Sequence, residues 1–163
     1  MSYCEECGSE LVERYLENEG IIPFCKSCGV YRFPKYNVAV SLITVDDENH
    51  KILLIKQYGR DSYILVAGYV NKGESAEDAA ARELSEETGL KAGRTVYNSS
   101  RYFERSNTLM LNFTCHIEGP NELLLNDEVD EAEWFGFDEA RENIRPDSLA
   151  QFFLNSYLDG KKL

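Results

Sequence analysis

The stretch from Gly68 to Leu90 restricts this chain more than any other. It runs Gly68, five residues, Glu74, seven residues, then Arg82-Glu83-Leu84-Ser85-Glu86-Glu87-Thr88-Gly89-Leu90. Most of it reads as one helix. Ser75 is placed to cap the N-terminus, with Asp78 three residues on in the position of a capping-box acid. Ala76, Ala79, Ala80, Ala81 and Leu84 are good helix formers, and Gly89 stands where a C-terminal glycine is expected. On such a helix Glu83, Glu86 and Glu87 follow an i, i+3, i+4 spacing, so their carboxylates share one face. Three clustered carboxylates repel one another. A hard divalent cation relieves that repulsion, and oxygen ligands suit Mg²⁺ or Mn²⁺. The alternative is a solvated acidic stripe on a surface helix, the usual fate of charged helix faces.

The glycines at both ends, the alanines and Arg82 all fall in register with the acids. The whole resembles the Nudix box, Gx5Ex7REUxEExGU with U aliphatic, and every specified position matches. The resemblance implies a loop-helix-loop that binds divalent metal and cleaves a nucleoside diphosphate linked to another group, X. The spacing alone shows a cation site.

Composition bounds the rest. The 163 residues suit one catalytic domain plus a small appendage, and 43% apolar content suits a globular fold. The net charge of −12 argues against general nucleic-acid or anionic-membrane binding. It leaves an anionic substrate open, because a bound divalent ion inverts the local field. No apolar run reaches the length of a membrane helix. Residues 1–6 lack the basic and apolar regions of a signal peptide, so a cytoplasmic location is expected.

Four of the five cysteines form Cys4-x2-Cys7 and Cys25-x2-Cys28, seventeen residues apart. Two such knuckles read as a tetrahedral structural Zn²⁺ site. Gly8 and Gly29 follow the second cysteine of each knuckle, where tight turns are needed. Two disulfides are the alternative, disfavoured in a reducing compartment. Cys115 lies in an apolar stretch and reads as a buried thiol. Glu5, Glu6, Glu10, Glu13, Glu17 and Glu19 outnumber Arg14 and Lys26 here, so this ribbon is a poor phosphate reader. A role in stabilising the fold or building an interface suits it better.

The remaining pattern predicts strands over 37–45 and 51–57 around a turn at 46–49, and a short strand over 63–67. Two more follow over 94–103 and 108–117, and a last one over 133–135. A helical turn or two over 138–144 precedes a final helix opened by Pro146 and Asp147 and running to about Leu158. This order predicts an α/β fold with a mixed sheet between helices, an α/β/α sandwich. The Nudix resemblance names the same fold, preceded by a small zinc ribbon. The expected domains are residues 1–34 for the ribbon and 35–163 for the Nudix domain.

A zinc ribbon joined directly to a Nudix domain resembles the NADH pyrophosphatase group. The likeness includes Tyr31-Arg32-Phe33-Pro34, and it includes residues 126–134, where Glu128 occupies the place of a further metal-site Glu. It implies a homodimer, and an NAD(H)-type dinucleotide cleaved to two mononucleotides. ADP-ribose or a nucleotide sugar is the alternative substrate, and a non-catalytic zinc-ribbon adaptor the alternative of another class. The chain departs from the group in two respects. It starts almost at the ribbon, where the group carries a further domain. The group's specificity stretch, Ser-Gln-Pro-Trp-Pro-Phe-Pro-x-Ser then Leu-Met, falls on residues 100–110. Ser100, Leu109 and Met110 match, whereas Phe103 replaces tryptophan, the prolines are lost, and Arg101 and Arg105 appear.

These readings nominate site residues. Glu83, Glu86, Glu87 and Glu128, with the Gly68 carbonyl, are the expected ligands of Mg²⁺ or Mn²⁺. Arg82 paired with Glu74 is expected to hold the cluster, since an arginine stays charged and is a poor base. Glu87 or Glu128 is the expected general base. Phe33, Tyr69 and Phe103 are candidates to stack on a planar base, against the alternative of core or dimer contacts. Ser100 joins them as a substrate contact. Arg101 and Arg105 read as a phosphate clamp or as surface charges. His50 and His116 read as peripheral.

Overall fold

The computed structural model describes residues 2–160; the expected Nudix domain's last three residues lie outside them. The chain divides into two compact units, Met1–Tyr36 and Asn37–Leu163.

The first unit is a three-stranded antiparallel sheet, β1 (Val12–Leu16), β2 (Gly20–Cys25) and β3 (Val30–Tyr31). Its two cysteine knuckles have the same form. The Gly8 N–H donates to the Cys4 carbonyl at 2.8 Å and the Gly29 N–H to the Cys25 carbonyl at 2.9 Å. Both glycines are left-handed, with φ of 71° and 72°, as the tight turns require. Arg32 grips Glu6 through both terminal nitrogens, at 3.1 and 2.6 Å.

The second unit is built on β4 (Asn37–Asp46), whose eight consecutive buried residues mark the centre of the sheet. β5 (Lys51–Gln57) returns beside it through a turn in which Asp46 accepts from the Glu48 and Asn49 N–H groups, both at 3.1 Å. β6 (Val66–Tyr69) pairs with the first half of β4. Then come α1 (Ala76–Thr88), β7 (Ala92–Phe103), a 3₁₀ turn (Glu104–Ser106), β8 (Thr108–Ile117) and β9 (Val129–Gly136). The chain closes with α2 (Phe137–Asn143) and α3 (Leu149–Leu158). The sheet order is β7-β8-β4-β5-β9, with β6 beside β4. β4 and β8 run parallel and the other pairs antiparallel, so the sheet is mixed.

Alternation along the strands makes two cores. Val40, Leu42, Leu53, Ile55 and Phe113 pack with Ala79, Ala80 and Leu84 of α1. Ile43, Val45, Ile52 and Leu54 pack with Ala140, Phe153 and Leu154 of α2 and α3 on the other face. The α/β/α sandwich expected from the element order is the fold observed.

Three elements differ most from the sequence reading, while β7, β4 and α2 shift by only a residue or two at an end. The strand expected over 63–67 is displaced to Val66–Tyr69, while Tyr63 and Ile64 make only single bridges to Ile144 and Ile55. The strand expected over 133–135 extends over eight residues. Its acidic residues are tolerated because Lys56 reaches Glu131 at 3.1 Å and the Tyr63 hydroxyl donates to Glu133 at 2.9 Å. The final helix begins at Leu149, not at Pro146. Ser148 is its cap, accepting from the Gln151 N–H at 3.0 Å, and Asp147 sits left-handed at φ 53°.

Candidate active site

α1 carries the site because its ends and its buried stripe are both specified locally. The Ser75 hydroxyl accepts from the Asp78 N–H at 3.1 Å, and Gly89 closes the helix at φ 72° with its N–H on the Ser85 carbonyl. Ala79, Ala80, Leu84, Glu87 and Thr88 are buried, and Ala76 and Glu83 are half-buried. These positions follow the i, i+3, i+4, i+7, i+8 rule of a core-facing stripe. Two of the three acids therefore lie on the packed side of the helix. A solvated acidic stripe would face the other way, and only Glu86, with 57% of its side chain accessible, is turned out.

Arg82 organises this edge. Its Nε and Nη2 donate to the two oxygens of Glu74 at 2.7 and 3.0 Å. Its Nη1 reaches Glu83 Oε1 at 2.7 Å and Glu86 Oε2 at 3.0 Å, and its Nη2 also reaches the Tyr69 carbonyl at 2.9 Å. The fork holds Glu74 down at about 2, with the Asn71 N–H helping from the loop. Arg82 thus ties the loop before the helix, the end of β6 and two of the acids into one network, as the pairing with Glu74 expected from sequence implies.

Glu87 is different. It is 3% exposed; Gln57 donates to its Oε1 at 2.8 Å, and its Oε2 is buried without a partner among the described residues. Burial pushes this carboxyl up to about 7, the charges of Glu83, Glu128 and Glu86 add to the rise, and the Gln57 bond opposes it. An unpartnered buried carboxylate oxygen is costly unless something positive meets it.

Gly68 explains how the acids come so close to the sheet. It lies opposite Val40 with its bare Cα turned to α1, and a Cβ there would sit 1.9 Å from the Cδ of Glu83. The Glu83 carboxylate fills the space of the missing side chain. On the far side, Glu128 accepts from the Tyr58 hydroxyl at 3.0 Å, which raises the phenol above its usual range, with Glu87 and Glu83 contributing through their charge.

The orphan oxygen of Glu87, the Glu83 cradle at Gly68 and an all-oxygen donor set fit a hard divalent cation. Arg82 engages one oxygen of Glu83 and one of Glu86, leaving the other oxygen of each for such an ion. Among the described residues, the cysteines Cys4, Cys7, Cys25 and Cys28 form the one group of potential ligands within 4.8 Å of one another. Their soft sulfur donors fit Zn²⁺. The Cys7 N–H leads the groups that pull the Cys4 thiol down and Ser9 leads those that bring Cys7 to about 6, while the Cys7 and Cys25 sulfurs push Cys28 up to about 12.

The aromatic candidates separate. Residues in register on neighbouring strands share a face, so Tyr69, Ala39, Met110 and Arg101 form a row on the α2–α3 side. Tyr69 and Phe103 are both substantially exposed, and Phe103 continues the Arg101 side of β7. Ser100, paired with Leu111, falls on the α1 side, so it does not share a face with Phe103. Phe33 is half-exposed in the ribbon unit, beside Tyr3 and Pro34 in a shallow cleft. Arg101 lies over the ring of Phe152 at 4.1 Å, so it is a packing cation. His116 pairs with Asp47 at 2.8 Å on the far part of β8, and Cys115 is fully buried.

Sequence reasoning missed Gln57 and Tyr58. Gln57 ends a strand and Tyr58 follows it with a left-handed φ of 57°, and no local pattern announces either as a partner of an acid 30 or 70 residues away.

The NUDIX domain family model matches residues 35–154. The chain is 29% identical over 158 residues to the NAD-capped RNA hydrolase NudC of Stutzerimonas stutzeri, covering 96% of this chain and 55% of that protein. The corresponding protein of Pseudomonas aeruginosa is 26% identical over the same shares. The chain spans about half the length of the curated relatives it matches. A NUDIX hydrolase from Nitrosomonas europaea superposes with a TM-score of 0.69 at 22% identity, over 98% of this chain and 91% of that one. A second from the same organism gives 0.64 at 25% identity, over 78% and 92%. With its family model matched over most of the chain and Glu83 and Glu87 turned inward on α1, this protein belongs to the Nudix family.

Proposed function

We propose that this protein is a divalent-metal-dependent pyrophosphohydrolase that cleaves the diphosphate linkage of an NAD(H)-type dinucleotide to two mononucleotides. The observation that carries the reading is the buried, unpartnered Oε2 of Glu87 beside the Glu83 carboxylate seated on Gly68. A catalytic site is where such an uncompensated arrangement is retained.

Glu83, Glu86, Glu87 and Glu128, with the Gly68 carbonyl, would hold Mg²⁺ or Mn²⁺. The ion supplies neutralisation of the diphosphate charge and acidifies water. Arg82 positions Glu83 and Glu86 and is itself fixed by Glu74. Water attacks one phosphorus: its oxygen forms the new P–O bond, its proton passes to a carboxylate, and the bridging oxygen leaves with the other phosphate. Glu87 and Glu128 are free of Arg82. Glu87 or Glu128 takes the proton: burial brings Glu87 to about 7, the range a general base needs, and Glu128 is exposed to water. Tyr69 and Phe103 offer faces for the planar bases, and Cys4, Cys7, Cys25 and Cys28 would hold one structural Zn²⁺.

The NAD moiety is what this reading shares with the NudC relatives, which are NAD-capped RNA hydrolases. A net charge of −12 argues against avid hold on a nucleic-acid chain. The test is a screen of NADH, NAD⁺, ADP-ribose, diadenosine polyphosphates and nucleotide sugars with Mg²⁺, with product analysis. NAD(H)-type substrates are expected to have the highest kcat/KM and to give two mononucleotides. A higher value for ADP-ribose or a nucleotide sugar would move the substrate to that class, which the altered stretch 101–106 makes the specific alternative. Metal-dependent turnover of none of them would leave a non-catalytic adaptor.

A further inference from the structure

Most arginines in this structure are engaged. Arg32, Arg82, Arg94 and Arg141 have hydrogen-bonding partners, and Arg14 and Arg101 lie over aromatic rings. The guanidinium groups of Arg60, Arg105 and Arg145 have no hydrogen bond or ion pair among the described residues. All three line one open cleft of about 670 Å³, with Asp61, Ser62 and Phe103. Asp61 shares Lys56 with Glu131, at 3.0 and 3.1 Å, so the lining sets three arginines against one carboxylate in a chain of net charge −12.

The cleft opens at the same end of the sheet as the acids. The first residues of β4 lie between Gly68 and Tyr69 on one side and residues 109–111 on the other, and residues 100–102 pair with the latter. The loop 58–62 links the two places: Tyr58 holds Glu128, and Arg60, Asp61 and Ser62 line the cleft. Phe103 and Arg105 belong to the stretch in which this sequence departs from the NADH pyrophosphatase pattern.

We infer that this cleft binds a phosphomonoester of the substrate, one outside the diphosphate that is cleaved, with Phe103 beside it as a stacking face for the base. The inference rests on the dinucleotide reading and narrows it to nucleotides bearing an additional phosphate. Guanidinium forks match phosphate oxygens in pairs, and three of them suit the dianion of a monoester better than a singly charged diester. An extended nucleic-acid strand would also have to cross an acidic protein surface.

The test uses the full chain and adenosine 2′,5′-bisphosphate as probe, with adenosine 5′-monophosphate as reference. With no divalent ion added beyond the ribbon zinc, the acidic helix repels anions, so calorimetric binding reports the cleft. The bisphosphate is expected to bind roughly tenfold tighter than the monophosphate, with an affinity that falls as salt rises. R105Q and R145Q should each remove most of that preference, whereas R141Q, which changes the same charge at the Asp159 pair, should keep it. Equal binding of the two probes, or equal loss in R141Q, would overturn the inference. With Mg²⁺, the ratio of kcat/KM for NADPH to that for NADH should exceed one and drop about tenfold in R105Q. Preference for an NAD-capped oligonucleotide over NADPH would overturn it in favour of a nucleic-acid strand. Bisphosphate binding without hydrolysis of any dinucleotide would instead sink the enzymatic reading and leave the anion site standing.

Discussion

The carboxylate of Glu83 occupies the space that a side chain on residue 68 would fill: a Cβ on Gly68 would stand 1.9 Å from its Cδ. The Glu83 carboxylate can lie over β6 only because position 68 is bare. The contact is made by the end of a flexible side chain, so a substitution displaces the carboxylate and spares the fold. Gly68→Ala should lower kcat by about 10²-fold or more with Mg²⁺, while the far-UV circular dichroism and the thermal transition stay close to wild type. Wild-type turnover in this variant would show that the position of Glu83 is immaterial.

Arg82 makes contacts with three carboxylates and one carbonyl through its planar fork. A lysine keeps the charge and loses that geometry. Arg82→Lys should therefore reduce kcat/KM by roughly 10–100-fold and weaken Mg²⁺ activation, and Glu74→Gln should do so less, because Asn71 and the helix cap still hold the loop. Titrating the rate against Mg²⁺ in both variants checks the order; a larger loss from Glu74→Gln would contradict it.

The raised carboxyl of Glu87 links pH to both stability and metal binding. Its folded value of about 7 lies above the ordinary 4.5, so the folded protein keeps the proton where the unfolded chain has lost it. Its contribution to stability is fully present below about 4.5 and declines as pH rises towards about 7. Metal-free protein should accordingly lose stability across that window, and Glu87→Gln should flatten the loss. Divalent ions need the ionised form, so Mg²⁺ affinity should rise by up to about tenfold per pH unit through the same window. A flat affinity profile in wild type would count against Glu87 as a ligand. With Mg²⁺ saturating, Glu87→Gln and Glu86→Gln should each cut kcat by roughly 10²–10⁴-fold.

For the ribbon, one Zn²⁺ per chain should survive purification. Structural zinc contributes on the order of 10 kcal/mol to forming such a site, so Cys25→Ser should unfold the first unit and release the ion. The thiol of Cys115, which burial pushes up to about 11, should resist alkylation at neutral pH until the protein is denatured. Elemental analysis and mass spectrometry before and after chelation decide this; two disulfides in the native protein would refute it.

The amino-acid order alone specified α1, its caps and the spacing of its acids, because a serine cap, a run of alanines and a terminal glycine act within a few residues of one another. The two cysteine knuckles were legible for the same reason: each is a short turn closed by its own glycine. The long apolar strands also announced themselves, since burial on both faces leaves an unbroken hydrophobic run. The tertiary structure decided which way the acidic helix faces. Spacing puts Glu83, Glu86 and Glu87 together but does not orient them; packing of Ala79, Ala80 and Leu84 on the sheet turned two of them inward. It also decided that β9 extends across acidic residues, because Lys56, which pairs with Glu131, and Tyr63, which donates to Glu133, come from β5 and the loop beyond it. Ser100 and Phe103, close in sequence, part to opposite faces of β7 through strand alternation. Gln57 and Tyr58 meet Glu87 and Glu128 only after the strands have paired, and the Arg60, Arg105 and Arg145 cleft is assembled from three separate loops. Contacts of that kind depend on sheet register, which forms across the whole chain and leaves no mark at any one position.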